Sequence, residues 1–322
     1  MTVRLVEGIA VTRRFPVRRG LFGHDHVHAV SGVDLEIRRG EIVGVVGESG
    51  SGKSTLGRLL LGLQPLSGGQ VLFNGVDLAT LDRAALRRAR RNMQLVFQDP
   101  YSSLDPRRRI GEQITEGLAI HGMADAAERR RLARELLDAV GLSPDVGDRL
   151  PGQFSGGQRQ CIAIARALAT RPEFIVADEP VSALDVSVQA QILNLLAKLR
   201  NDLGVSILFI SHDLAVVRHL CDRVAVMYLG KIVETGRTEQ VFSNPSHPYT
   251  QSLFAATPKL LEPIPPDDIL PGEPPSPLAP PSGCVFRTRC RDATAECALA
   301  PIPSVEVAPA HFSSCIKLRS ST

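Results

Sequence analysis

The 322-residue chain has no run of about 18 apolar residues, so it offers no transmembrane helix. Its start, MTVRLVEGIAVTRRF, lacks the long apolar stretch of a secretory signal. Both absences point to the cytoplasm, with any membrane role supplied by a partner. Excess charge of one sign is missing too. Lys and Arg number 37 against 34 Asp and Glu, and a net charge of +3 gives no argument for nucleic acid. The arginine runs (Arg87, Arg88, Arg90 and Arg91; Arg107 to Arg109; Arg129 to Arg131) sit among helix formers and read as solvated helix faces. Cysteine is scarce, at 6 residues, which in a cytosolic chain argues against a disulfide framework. Tryptophan is absent, and no internal repeat is visible, so there is one core.

What is present is an alternation. EIVGVVG (41–47) is a continuous apolar run ending in glycine, as a buried strand should be, and Lys53 to Gly62 reads as a helix. QVLFNG, MQLVFQD, FIVADEP and VSILFISHD read as further strands with helices between several of them. That order implies an α/β fold with a mainly parallel sheet covered by helices on both faces. Residues 107–170 read as mostly helical, and MYLGKIVETG (227–236) as a hairpin turning at Gly230–Lys231. Beyond about residue 258 the character changes, and 15 of the 23 prolines fall between 245 and 309. Proline fixes φ and removes a donor, so PIPPDDILPGEPPSPLAPP reads as an extended strap leading to a small cysteine-bearing end with little core of its own.

The chemistry sits in separate motifs. GESGSGKST (47–55) matches the phosphate-binding pattern in its confirming context, after a strand and before a helix. Gly47, Gly50 and Gly52 let backbone close on phosphate oxygens, with Glu48, Ser49 and Ser51 between them. Lys53 brings a point charge to the β- and γ-phosphates; Ser54 offers its hydroxyl to Mg²⁺, with Thr55 beside it. FIVADEP ends in two acids, Asp178 to hold Mg²⁺ and Glu179 to orient and polarise water near the γ-phosphate. His212, in ISHD, and Gln98, in LVFQDP, also lie at strand ends, where parallel sheets bind ligands. His212 would reach the γ-phosphate or the water, and Gln98 the metal or the water.

FSGGQ (154–158) opens a helix far from the first loop in sequence. A serine there is an ordinary N-cap. Ser155, Gly156, Gly157 and Gln158 also make an anion site from hydroxyl, backbone N–H groups and helix dipole. A second chain packed head-to-tail would bring the anion, trapping each nucleotide between one chain's GESGSGKST and the other's SGGQ, with Asp185 of SALD at the same seam.

The ordered set GESGSGKST, Gln98, FSGGQ, FIVADE, SALD and SHD resembles the ATP-binding-cassette ATPases over roughly residues 3 to 243. The resemblance implies a P-loop NTPase core with an antiparallel β subdomain and a helical subdomain at about 100–170. It also implies ATP and Mg²⁺ as cofactors, and a dimer that closes on ATP and opens after hydrolysis. An aromatic near the start stacks on adenine in that family. Phe15 matches best, Phe22 and His28 are alternatives, and Phe15 as a core residue is the plain reading. Phe154 stands where the family more often has Leu, and Cys161 replaces an arginine usual in the branch described next.

SHPYTQSLFAATP (246–258) and GEPPSPLAPPSGCVFRTRC (272–290) resemble the C-terminal extension of oligopeptide and dipeptide importer ATPases. The organisation this implies is an ATPase domain over 1–258 and an extension over 259–322. It implies an ATP-binding subunit on the cytoplasmic face of the inner membrane that drives uptake of dipeptides, oligopeptides or a related solute. Its partners would be a second ATPase subunit, identical or homologous, two transmembrane permease subunits and an extracytoplasmic solute-binding protein, with no nucleic acid. A soluble or regulatory cassette ATPase is the alternative. Cys284, Cys290, Cys297 and Cys315 follow no C-x₂-C spacing, yet four thiols in a short segment can converge on one soft metal centre. Some ATPases resembling this chain carry an iron–sulfur cluster, [4Fe–4S], at these positions; zinc, or free or paired thiols, are the other readings.

Overall fold

The computed structural model describes residues 3–19, 23–182, 184–256, 272–299 and 302–321. Phe22 and the first part of the proline strap, 263–271, lie outside them. The chain forms two compact units, one of Met1–Leu5, Ile37–Ile42 and Phe73–Ile210, the other of Val6–Glu36, Val43–Leu72 and Ser211–Thr322.

The first unit is built on parallel strands. β6 (Met93–Val96) pairs with β7 (Phe174–Asp178), and β7 with β8 (Ser206–Ile210), each in parallel register. β7 and β8 are buried along their whole length, as expected of apolar runs shielded on both sides. The unit also holds the short β5 (Val76–Asp77) and α2 (Arg83–Arg91). Between β6 and β7 the chain is helical: α3 (Pro100–Ser103), α4 (Ile110–Ile114), α5 (Glu116–Ile120), α6 (Ala126–Ala139) and α7 (Gly156–Leu168). Ile110, Ile114, Leu137, Ile162 and Ile164 are buried there. Of the arginines, Arg109 pairs with Asp148 and Arg131 with Glu135 at solvent-exposed positions, while Arg108 pairs with Glu116 at half-buried ones. The solvated-face reading holds for Arg109 and Arg131. α8 (Val186–Leu203) follows β7 and ends at Gly204, whose φ of 66° closes the helix in the left-handed region.

The second unit opens with two long strands, β1 (Arg4–Arg19) and β2 (Gly23–Arg38), with β4 (Gly68–Phe73) on the other side of β1. Here β3 (Ile42–Val46) pairs in parallel with β9 (Arg223–Tyr228) and leads into α1 (Lys53–Leu60). β9 turns back antiparallel into β10 (Lys231–Arg237). The turn is one residue earlier than the sequence suggests: Lys231 pairs with Tyr228, and Leu229 and Gly230 make the corner at φ 43° and 79°. Two successive positive φ values are what a two-residue hairpin with right-handed strand twist demands. α9 (Leu214–Leu220), α10 (Thr238–Ser243) and α11 (Pro248–Ala255) complete the unit before the extension.

The cysteine-bearing end is more integrated than its composition suggests. Its hairpin, β11 (Val305–Ala308) and β12 (His311–Ser313), adds to β10 with Glu234 opposite Ser313. The Glu234 carboxylate is buried and accepts hydrogen bonds from the Ser246 and His247 N–H groups at 2.7 and 2.8 Å, and it meets His311 Nε2 at 2.7 Å. Phe286 is buried against Tyr228 and Tyr249, with ring centroids 5.3 Å from each. The end has no large core of its own, and it takes its apolar contacts from β9 and α11.

Candidate active site

The GESGSGKST loop leaves β3 and enters α1. A Cβ on Gly47 would lie 2.0 Å from the Met227 carbonyl oxygen, and one on Gly52, at φ 105°, 2.1 Å from that of Ala29. Only glycine lets the loop pass this close to backbone. Lys53 is buried, and its Nζ donates to the Gly47 and Glu48 carbonyls at 2.8 and 2.9 Å. Ser51 Oγ is buried without a hydrogen-bond partner. A buried hydroxyl lacking a partner beside a buried ammonium suits a phosphate oxygen. Ser49 and Gly50 are exposed, and Ser54 and Thr55, in the first turn of α1, are half-buried.

Glu48 is held from the C-terminal part of the same unit. Its N–H donates to Tyr249 Oη at 2.9 Å, and its carboxylate takes two bonds from the Arg289 guanidinium at 2.8 and 3.1 Å. Sequence reasoning missed both partners, because they lie 201 and 241 residues away and carry no motif. Phe15, on β1, is half-buried with the Arg13 guanidinium 4.5 Å from its ring centroid. His28 is also half-buried, and burial, with Arg14 nearby, lowers its pKa. His212 is exposed, one residue before the Asp213 cap of α9.

In the first unit, Asp178 ends β7 and is buried. Glu179 follows at φ 48°, a costly conformation for a non-glycine residue and one that clusters at functional sites. Its N–H donates to the Ile210 carbonyl at 2.9 Å. Gln98 Nε2 donates to Glu179 Oε2 at 3.0 Å, so these two predicted residues are brought together.

Ser155 caps α7: its Oγ accepts from the Gln158 N–H at 3.3 Å, while Gln158 Oε1 accepts from the Ser155 N–H at 3.0 Å. Accepting leaves the hydroxyl proton available to a ligand. Gly157 has a packing duty as well, because a Cβ there would lie 2.2 Å from Val188 Cγ1. Tyr101 lies beside Gly156 and carries the Arg159 guanidinium 4.2 Å from its ring centroid. Asp185 starts α8 without a side-chain cap bond and is exposed, as is Val186 at 82%. Cys161 is half-buried, and desolvation pushes its thiol up to about 11 and leaves it a packing residue.

The four C-terminal thiols border one small cavity with His247, Phe286 and Lys317. Burial raises the pKa of Cys284, Cys290 and Cys315. Among the described residues no group of three or more His, Cys, Asp or Glu side chains is arranged to hold a metal ion.

Residues 30–182 match the family described as ABC transporter, and 233–297 match the oligopeptide/dipeptide transporter C-terminal region. The oligopeptide transport ATP-binding protein AppF of Bacillus subtilis is 48% identical over 95% of this chain and 94% of its own. The chain belongs to the ATP-binding-cassette ATPases. The dipeptide transport ATP-binding protein DppF of Escherichia coli is 49% identical over 89% of this chain and 86% of its own. A dimeric cassette solved after hydrolysis, bound to ADP and Pi, matches 73% of this chain and 99% of its own at 32% identity and a TM-score of 0.65. This cassette is therefore an ATPase of the P-loop fold. Among the described residues no helix is long and apolar enough to cross a membrane.

Proposed function

We propose that this cassette powers import of dipeptides, oligopeptides or a related solute from the cytoplasmic face of the membrane, through two permease subunits fed by an extracytoplasmic binding protein. The observation carrying this is the match of 233–297 to the oligopeptide/dipeptide transporter C-terminal region, joined to an ATPase core. The relatives named for peptide transport, AppF and DppF, support it.

Within that reading, Gly47 to Thr55 wrap the phosphates of ATP, Lys53 transfers its hydrogen bonds from loop carbonyls to phosphate oxygens, and Phe15 stacks on adenine. The Ser54 hydroxyl, Asp178 carboxylate and Gln98 amide oxygen are hard oxygen donors, the set that suits Mg²⁺. Bound Mg²⁺ would offset charge on the phosphates. Glu179 orients and polarises the attacking water, with Gln98 holding its carboxylate and His212 reaching the γ-phosphate side. Ser155 to Gln158 and Asp185 serve the nucleotide of a partner cassette, identical or homologous, so ATP closes the dimer. Cys284, Cys290, Cys297 and Cys315 border one cavity, which favours a soft metal centre, an iron–sulfur cluster ahead of zinc, although the described side chains stand in no metal-holding arrangement.

Glu179→Gln keeps the shape of the side chain and its contact with Gln98 but removes the base. It should cut ATP turnover by at least about a hundredfold while MgATP binding persists and the dimer accumulates, read by phosphate release and size-exclusion chromatography. Normal turnover in this variant would remove Glu179 from the mechanism.

A further inference from the structure

Glu48 places a carboxylate inside a loop whose task is to receive a polyanion. Left alone, it would oppose the triphosphate, since like charges a few ångströms apart repel and low-dielectric surroundings enlarge the effect. The structure shows what offsets it. Arg289 is buried at 7% exposure and reaches both Glu48 carboxylate oxygens, at 2.8 and 3.1 Å. Its Nη1 also lies 3.4 Å from Tyr228 Oη, and its Cζ is 5.9 Å from the centroid of that ring. Tyr249 Oη accepts from the Glu48 N–H, and Lys53 Nζ donates to the Glu48 carbonyl. The N–H, carbonyl and carboxylate of Glu48 are thus all committed. Arg289 and Tyr249, which hold the N–H and the carboxylate, both come from beyond residue 245.

We propose that Arg289 is a positioning residue for ATP binding: it neutralises Glu48 and fixes the first turn of the phosphate loop, so that the C-terminal extension completes the nucleotide site. The proposal rests on the reading of GESGSGKST as the phosphate loop. Arg289 touches no nucleotide in this role and acts through Glu48. Cys290 follows it directly and lines the thiol cavity, so the cavity and the loop are joined by consecutive residues.

The sign of the effect gives the test. With a ribose-labelled fluorescent ATP and Mg²⁺, used because the 322-residue chain has no tryptophan, Arg289→Gln should weaken binding about tenfold, the scale of one lost charge-assisted pair. Adding Glu48→Gln to that variant should recover most of the loss, because the uncompensated carboxylate is then gone. A purely structural arginine predicts the reverse, with the double variant no better than the single. Arg289→Lys keeps the charge but not the two-pronged geometry, and should bind within about threefold of the parent even where its melting temperature falls. It serves as the decisive variant if Arg289→Gln does not fold, and a tenfold loss in it would overturn the proposal. Unchanged affinity in Arg289→Gln, or no recovery in the double variant, would overturn it too. Failure of the unaltered protein to bind MgATP would instead refute the phosphate-loop reading.

Discussion

At the residue scale, the GESGSGKST loop is governed by backbone clearance. Gly52 has φ 105° and its missing Cβ would sit 2.1 Å from the Ala29 carbonyl oxygen. Gly75 has φ 76° but open space around it. Gly52→Ala should therefore abolish measurable MgATP binding with the circular dichroism spectrum retained. Gly75→Ala should keep binding and lose only about 1–2 kcal/mol of stability, the left-handed penalty for a residue with a Cβ. Equal nucleotide affinity in the two variants would refute this. The loop was legible in the sequence because nine consecutive residues carry it. The Gln98–Glu179 contact was legible as two strand ends, though not as a hydrogen bond. Arg289 and Tyr249 were not legible, because a solitary arginine and a solitary tyrosine have no periodicity or spacing to mark them.

At the scale of elements, the SGGQ helix shows the cap that the plain reading of Ser155 expects, and the proposed service to a partner's nucleotide is a second duty of the same residue. Ser155 is a cap in a reciprocal pair with Gln158, and Gly157, the second residue of the helix, lets α7 meet α8. The two duties can be separated. Ser155→Ala removes the cap and should cost about 1 kcal/mol of stability. Ser155→Asn keeps a capping oxygen and should hold the melting temperature within 1–2 °C, about the margin expected when a cap is replaced by an equally good one. Both should depress ATP turnover if the hydroxyl serves a partner's phosphate. Turnover tracking stability alone across the pair would leave Ser155 as a cap only. The element pattern itself was readable, because β3, β7 and β8 are continuous apolar runs. The β9–β10 corner was misplaced by one residue because Leu229 is an unlikely-looking occupant of a positive-φ position; hairpin geometry, not side-chain preference, puts it there.

At the scale of the whole molecule, the C-terminal part of the chain shares a compact unit with the GESGSGKST loop. Its thiols line a cavity bounded by His247 and Phe286, and Phe286 also packs on Tyr228 and Tyr249. A cluster there would stabilise a lobe with little apolar interior. Purified without oxygen, the protein should be brown and contain iron, and Cys290→Ser should lose both colour and thermal stability. A colourless, iron-free and well-folded preparation would reject the cluster, and stoichiometric zinc would identify the other soft ion. The strap's prolines announced a change of character in the sequence. The pairing of β12 with β10 was hidden, since three residues between turns give no strand signal.

The interleaved unit also imposes an order on synthesis. Gly47 leaves the ribosome long before Arg289 and the β12 strand that completes the sheet beside β10. At about 5–20 residues per second, the gap is on the order of ten seconds or more. Through that interval the nascent GESGSGKST loop waits for the Tyr249 and Arg289 contacts that hold Glu48.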